Sequence, residues 1–347
     1  MVIITSTSLL VPLNSRFGVC TWSPDDRLIA VVIVNKTSTD LILWDVSTSM
    51  VQTSWECSKH GCGVSPEDIR VLAFSRDGTL LAMVDSGNTV TVWNVDTNEK
   101  IYSNELDISV NDLVFGAAHW LAITSDEWYS VGVLDLNTID LPIRWINLLP
   151  PPLNPDEDDV QYSVEIHDFS MDGTKFVATA TSRNFSPDQK DNGRTGAIFV
   201  VDIVSGAVLC DSQFWDAAQA WRSMCWMPDG QTIRVSWIKD ANLYSCVWDY
   251  ASPHNKATVF QIAVPPSSRV MSLTSDGTRY HLVRRDGESE RVEECQTSDG
   301  ATLRHTCKFA PSTPSTTTFY ALSSDASAVL RFDFYSNSAP SVCLLLA

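Results

Sequence analysis

Residues 71–100 read VLAFSRDGTLLAMVDSGNTVTVWNVDTNEK, and this stretch decides the fold. Val71 and Ala73, then Leu80, Ala82 and Val84, alternate with their neighbours at a period of two, as half-buried strands do. Between them Arg76-Asp77-Gly78 is a turn: the aspartate accepts hydrogen bonds from nearby backbone, and the glycine tolerates positive φ. Asp85-Ser86-Gly87-Asn88 is a second turn. Thr89 to Trp93 is another alternating run, rich in β-branched residues, and Asp96-Thr97-Asn98 turns the chain again. One small antiparallel sheet comes from about 40 residues.

The unit recurs. A small residue followed by x-Asp-Gly stands at Ser75–Gly78, Ser170–Gly173 and Met227–Gly230, with variants at Ser23-Pro24-Asp25-Asp26, Ser275-Asp276-Gly277 and Ser324-Asp325-Ala326. An aromatic or aliphatic residue followed by Asp or Asn closes the third strand at Trp44-Asp45, Trp93-Asn94, Leu134-Asp135, Val201-Asp202 and Trp248-Asp249. The two motifs alternate at a period of about 40 to 65 residues, which suits a radial array of sheets with the extra length placed in loops.

With these motifs the chain resembles the WD40-repeat family of β-propellers. The resemblance covers most of the chain and is sharpest in the second repeat, which carries both F-S-x-D-G and V-x-V-W-N. Family repeats usually place a Gly-His pair before the first strand; here His60-Gly61 is reversed, and Trp is missing from the third and fourth repeats. The chain therefore reads as a degenerate propeller held mainly by apolar packing between blades.

Blades are expected at about 17–55, 69–106, 110–148, 163–214, 222–263 and 269–309. After Thr317 three further strands are expected, Phe319–Ser323, Ala328–Phe334 and Ser341–Leu346. The segment Val2–Leu13 also reads as strand and is expected to complete that last blade, so that no open edge is left at the seam. The expectation is an all-β, seven-bladed propeller forming one domain over 1–347, with residues 2–13 closing the C-terminal blade 317–347; the alternative is a six-bladed ring with an unpaired N-terminal segment. Cys57–Asp68, Pro150–Asp159, Pro265-Pro266 and Pro311–Thr318 read as connectors.

Composition narrows the function classes. The 347 residues are 44% hydrophobic, enough for a full core, and no stretch approaches the roughly 18 apolar residues of a membrane span. The N-terminus lacks the basic region and cleavage site of a secretory signal. Nine cysteines without dense spacing read as free thiols in a reducing compartment. That points to the cytoplasm, with the nucleus as the alternative. The formal charge of −18 opposes nucleic acid and anionic membrane surfaces. A basic cluster in the sixth repeat (Arg269, Arg279, Arg284, Arg285, Arg291, Arg304, Lys308) is interleaved with Glu288, Glu290, Glu293 and Glu294, and reads as a solvated sheet face.

Several constellations invite chemistry and are answered by simpler readings. Cys57, His60 and Cys62 offer zinc donors, but no fourth ligand stands nearby. Asp156-Glu157-Asp158-Asp159 is unspaced and lacks the glycine turn of a calcium loop, so it reads as a solvated linker. In Glu165-Ile166-His167-Asp168, strand alternation puts Glu165 and His167 on one face and Ile166 and Asp168 on the other. His167 is expected to hydrogen-bond within its blade. Motifs for serine hydrolases, zinc proteases, P-loops and dinucleotide folds are absent, and no cofactor or metal is implied. The stretch Arg183–Thr195 is a long insertion, where Phe185 reads as an exposed anchor. Trp226 is expected in the core, while Trp215 and Trp221 flank a connector between blades.

The leading functional expectation is a non-catalytic scaffold that presents a rigid face to a protein or peptide. The resemblance implies a face built by the connectors leading into the first strands and by the loops between second and third strands. Those positions hold Arg16, Arg70, Asn111, Trp221 and Arg222, and Asn35, Arg183, Phe185 and Lys239. Two alternatives stand beside it. One is a metal-assisted hydrolase or lactonase, for which Asn111, Asp112, Glu165 and His167 are the nearest approximation to an inward-pointing set. The other is the ligand-sensing portion of a signalling NTPase complex, although the chain has no nucleotide-binding motif of its own.

Overall fold

A computed structural model describes residues 16–35, 38–48, 50–59, 69–116, 119–125, 130–138, 142–148, 160–184, 195–216, 222–239, 241–252, 256–265, 268–273, 278–286, 289–298, 300–309, 317–322 and 329–334. Twenty-six strands occupy them. Blade one is β1 (Arg16–Trp22), β2 (Leu28–Val34), β3 (Ser38–Asp45) and β4 (Met50–Lys59). Blade two is β5 (Ile69–Phe74), β6 (Leu80–Asp85), β7 (Thr89–Asn94) and β8 (Lys100–Glu105). Blade three is β9 (Asp112–Phe115), β10 (Trp120–Ser125), β11 (Ser130–Asp135) and β12 (Arg144–Asn147). Blade four is β13 (Val160–Phe169), β14 (Lys175–Asn184), β15 (Thr195–Asp202) and β16 (Val208–Asp216). Blade five is β17 (Arg222–Trp226), β18 (Thr232–Lys239), β19 (Asn242–Asp249) and β20 (Lys256–Ala263). Blade six is β21 (Ser268–Leu273), β22 (Arg279–Asp286), β23 (Ser289–Gln296) and β24 (Thr302–Phe309). The hairpin β25 (Thr317–Leu322) and β26 (Val329–Phe334) follows.

The recurring turn motifs fold alike because the same side chains close them. Ser23, Ser75 and Ser170 each donate their hydroxyl to the aspartate two residues on at 2.6 Å. Each hydroxyl also accepts the backbone N–H five residues on, at 2.8 to 2.9 Å. Gly78, Gly173 and Gly230 take positive φ in these turns, and Asp26 takes it in the variant turn, at φ 58. The Asp or Asn that ends the third strand of blades one to five caps the next turn. Asp45 accepts Thr48 N–H at 2.9 Å, Asn94 accepts Thr97 N–H at 2.9 Å, Asp202 accepts Ser205 N–H at 2.7 Å and Asp249 accepts Ala251 N–H at 2.9 Å. Both motifs are thus turn chemistry, which is why they repeat while the rest of the sequence drifts.

Packing links one blade to the next. Alternate residues of β6 enter different slabs: Leu81 and Met83 join residues of blade one, while Ala82 and Val84 join residues of blade three. Phe169 and Phe176 of blade four meet Val131 and Val133 of blade three, and Trp226 and Trp248 of blade five meet Val177 and Val200 of blade four. Tyr280 and Leu282 of blade six meet Leu243 and Ile262 of blade five. The first strands neighbour one another, β1 beside β5, β5 beside β9, β9 beside β13 and β13 beside β17, so they form the inner edge of the ring.

The number of blades corrects the sequence-based expectation. The described residues form six four-stranded sheets, and after the sixth only the two-stranded pair β25–β26, which lies against β1. The described residues thus make a propeller of six blades rather than seven. The miscount has a physical origin: two alternating runs after a proline-rich connector look like the start of a blade, and only strand pairing separates a hairpin from one. The segment 2–13 that was expected to close the ring, and the strand expected over 341–346, lie outside the described residues.

Blade six departs from expectation too. Glu290, Glu293, Glu294 and His281 are buried, with Glu293 only 1% exposed. Arg279 Nη1 donates to Glu294 Oε1 at 2.8 Å, and Arg284 Nη2 lies 3.6 Å from Glu293 Oε2. The carboxylates are therefore buried and paired with half-exposed arginines, rather than forming the fully solvated face that the pattern suggested.

Candidate interaction face

Antiparallel register fixes which loops share an end of the ring. Arg16 pairs with Val34, Ile69 with Asp85 and Arg222 with Trp237, so the leading end of each first strand lies beside the hairpin joining strands two and three. The sequence-expected residues fall at this one end. Arg16 begins β1, Arg222 begins β17, Lys239 ends β18 and pairs with Asn242, and Arg183 lies in β14 opposite Gln161. Phe185 and Trp221 lie outside the described residues. The insertion expected over Arg183–Thr195 is shorter than it read, because β14 continues to Asn184 and β15 starts at Thr195.

The described side chains on this face divide by use. Asn35 is occupied within its own hairpin: its Nδ2 donates to Asp40 Oδ2 at 2.8 Å. Arg70 is exposed, and its Nη1 reaches Ser109 Oγ at 3.5 Å across the gap between blades two and three. Asn111 is exposed, with its backbone N–H bonded to Thr124 O at 2.9 Å. Asp112 and Glu165 stand at equal depth on adjacent inner strands, paired with Thr124 and Thr179. Burial pushes the Asp112 carboxyl up to about 6, a bond from Leu113 N–H opposes the rise, and the Glu165 charge adds to it.

His167 is placed by a bulge that the sequence did not announce. The register shifts between Ile166 and Asp168, so His167 is the extra residue and Asp168 shares the Glu165 side of β13 rather than that of Ile166. As expected, His167 bonds within its blade, Nε2 to Thr179 Oγ1 at 2.8 Å; it also lies 4.0 Å from Glu165 Oε2. Among the described residues no group of three or more His, Cys, Asp or Glu is disposed to hold a metal ion.

The bulge gives Asp168 a task at the opposite end. Arg76 Nη2, from the first turn of blade two, donates to Asp168 Oδ1 and to Phe169 O, each at 2.7 Å. Asp168 Oδ2 accepts Trp226 N–H of blade five at 2.9 Å. One carboxylate thus joins blades two, four and five. Arg76 thus bonds from blade two to blade four, past blade three. Sequence reasoning treated Arg76 as a neutral turn position, and no local pattern could have revealed a partner so distant in the chain. The same end also exposes Met171 and Val204 of blade four.

Radial four-stranded sheets and inner first strands define a β-propeller, and its Ser-x-Asp turns resemble those of WD40 repeats. No family model matches the chain, and no curated protein matches it. Among solved structures it is similar to the Cps50 (Swd1) β-propeller domain of Myceliophteria thermophila, at 10% identity and a TM-score of 0.66, covering 99% of this chain and 100% of that one. A chain of the mitotic checkpoint complex is similar at 12% identity and a TM-score of 0.59, covering 99% of this chain and 89% of that one. At these identities the likeness is one of fold.

Proposed function

We propose that the protein is a non-catalytic interaction platform whose working surface is the end of the ring carrying Arg16, Arg70, Asn111, Arg222 and Lys239. The observation that carries this reading is that residues distant in sequence are brought to one end of a rigid ring by strands rather than by free loops. Such a surface needs little ordering to bind a protein. Arg76 spans the inner edge at the other end, which favours this one for an inserted segment. The likeness to a propeller found in a multiprotein complex supports protein partners. Free thiols at Cys20, Cys57, Cys210, Cys225, Cys246 and Cys295 suit the proposed cytoplasmic setting.

A second reading draws on one corner of the same face. Asp112, with its raised pKa, feels the charge of Glu165, which lies 4.0 Å from His167, and such groups serve acid–base chemistry in hydrolytic enzymes. Crosslinking with mass spectrometry separates the two, run beside a panel of ester and lactone substrates. The platform predicts crosslinks concentrated on the described face, a loss of captured protein in Arg222→Glu, and retention in His167→Ala. Substrate turnover abolished by Asp112→Asn or His167→Ala, with capture unchanged in Arg222→Glu, overturns it in favour of the enzyme.

A further inference from the structure

We infer that the channel mouth on this face receives an acidic segment of a protein partner. The inference rests on the platform reading and adds the chemistry of what docks. The leading parts of the inner strands of blades one, two, five and six carry Arg16, Arg70, Arg222 and Arg269. Their depths agree. Arg16 pairs with Val34, Arg222 with Trp237 and Arg269 with Val283, each partner lying in the later half of its second strand. Arg70 stands in the bulge between Ile69 and Val71, which pair with Asp85 and Val84. Blades three and four carry Asp112 and Glu165 there instead.

In a chain of net charge −18, four arginine positions at the leading ends of inner strands are a local concentration of positive charge. Blades one and two are neighbours, as are five and six, so the arginine positions fall on one side of the ring and the two acidic positions on the other. Guanidinium groups bind carboxylates in a planar, two-pronged geometry, and a narrow mouth lets several act on one segment. Farther out on the same end stand Asp40, Asp85 and Glu105. They repel a long polyanion but leave a short acidic insertion unopposed, so a peptide fits better than a nucleic acid.

Fluorescence anisotropy tests the inference with three labelled probes: a short Asp/Glu-rich peptide, its Lys-for-acid counterpart and a single-stranded oligothymidylate. The acidic peptide is expected to bind roughly tenfold tighter than either, and to weaken with added salt. Arg70→Glu and Arg222→Glu are each expected to lower its affinity by about tenfold, their Gln variants less, and Lys100→Glu at the opposite end by less than about twofold. Unchanged melting of the Gln variants guards against misfolding. Equal or tighter binding of the basic peptide or the oligonucleotide, or a Lys100→Glu loss equal to that of the arginine variants, overturns the inference. Crosslinks that still map to this face would then leave the platform reading standing with a different partner chemistry.

Discussion

Asp112 holds its proton more tightly in the folded protein than in an unfolded chain, because burial disfavours its charge and Glu165 adds repulsion. The folded form therefore binds more protons between about pH 4 and 6, so the carboxyl weakens the fold as pH rises through 6 and stays unfavourable at pH 7. Asp112→Asn is expected to raise stability at pH 7 by on the order of 1–2 kcal/mol, and by little or nothing at pH 4, measured by urea denaturation at both values. The turn aspartates act with the opposite sign. The Ser170 hydroxyl and the Thr174 N–H hold Asp172 down at about 2, and the Ser47 hydroxyl likewise lowers Asp45. Their contribution is complete above about pH 4 and is lost as pH falls towards 2, so acid unfolding belongs in that lower window. The turn aspartates were legible in the sequence because their partners lie within a few residues. The state of Asp112 was not, because it depends chiefly on burial in the assembled ring and to a lesser extent on a carboxylate in the next blade.

At the level of elements, the Arg76–Asp168 bond couples turns that share no sheet. A double-mutant cycle of Arg76→Met and Asp168→Asn is expected to give a coupling energy of about 1 kcal/mol, since the pair is partly exposed and joined by one short charge-assisted bond. Additive effects in denaturant unfolding would show that the bond carries no energy. Strand order, the Ser-x-Asp turns and the burial of Trp226 followed from period and turn chemistry. The His167 bulge did not, because an inserted residue leaves alternation looking regular on either side of it. Blade six misled for a related reason: Arg279, Arg284, Glu293 and Glu294 have the composition of a wet surface, and only the folded blade shows the two carboxylates buried against half-exposed arginines.

The whole molecule is a chain of apolar slabs, each shared by two blades, and we propose that it unfolds as one domain. Phe169 is fully buried in the slab between blades three and four, where it packs beside Phe176 with ring centroids 5.9 Å apart. Phe169→Ala is expected to cost about 3–5 kcal/mol and to move the entire transition rather than split it. Calorimetry showing two separated transitions in the variant would mean that the blades melt in independent groups. The ring itself was readable from the alternation of two motifs. Its blade number was not, because closure is set by which strands find partners at the seam.

The reach of Arg76 also bears on how the protein is made. Its acceptor follows 92 residues later, whereas the bonds that close its own turn span five or fewer. On the ribosome, blade two can knit itself while the third is still being translated. The guanidinium must wait for Asp168, so the chord marks the moment at which an arc of sheets becomes half a wheel.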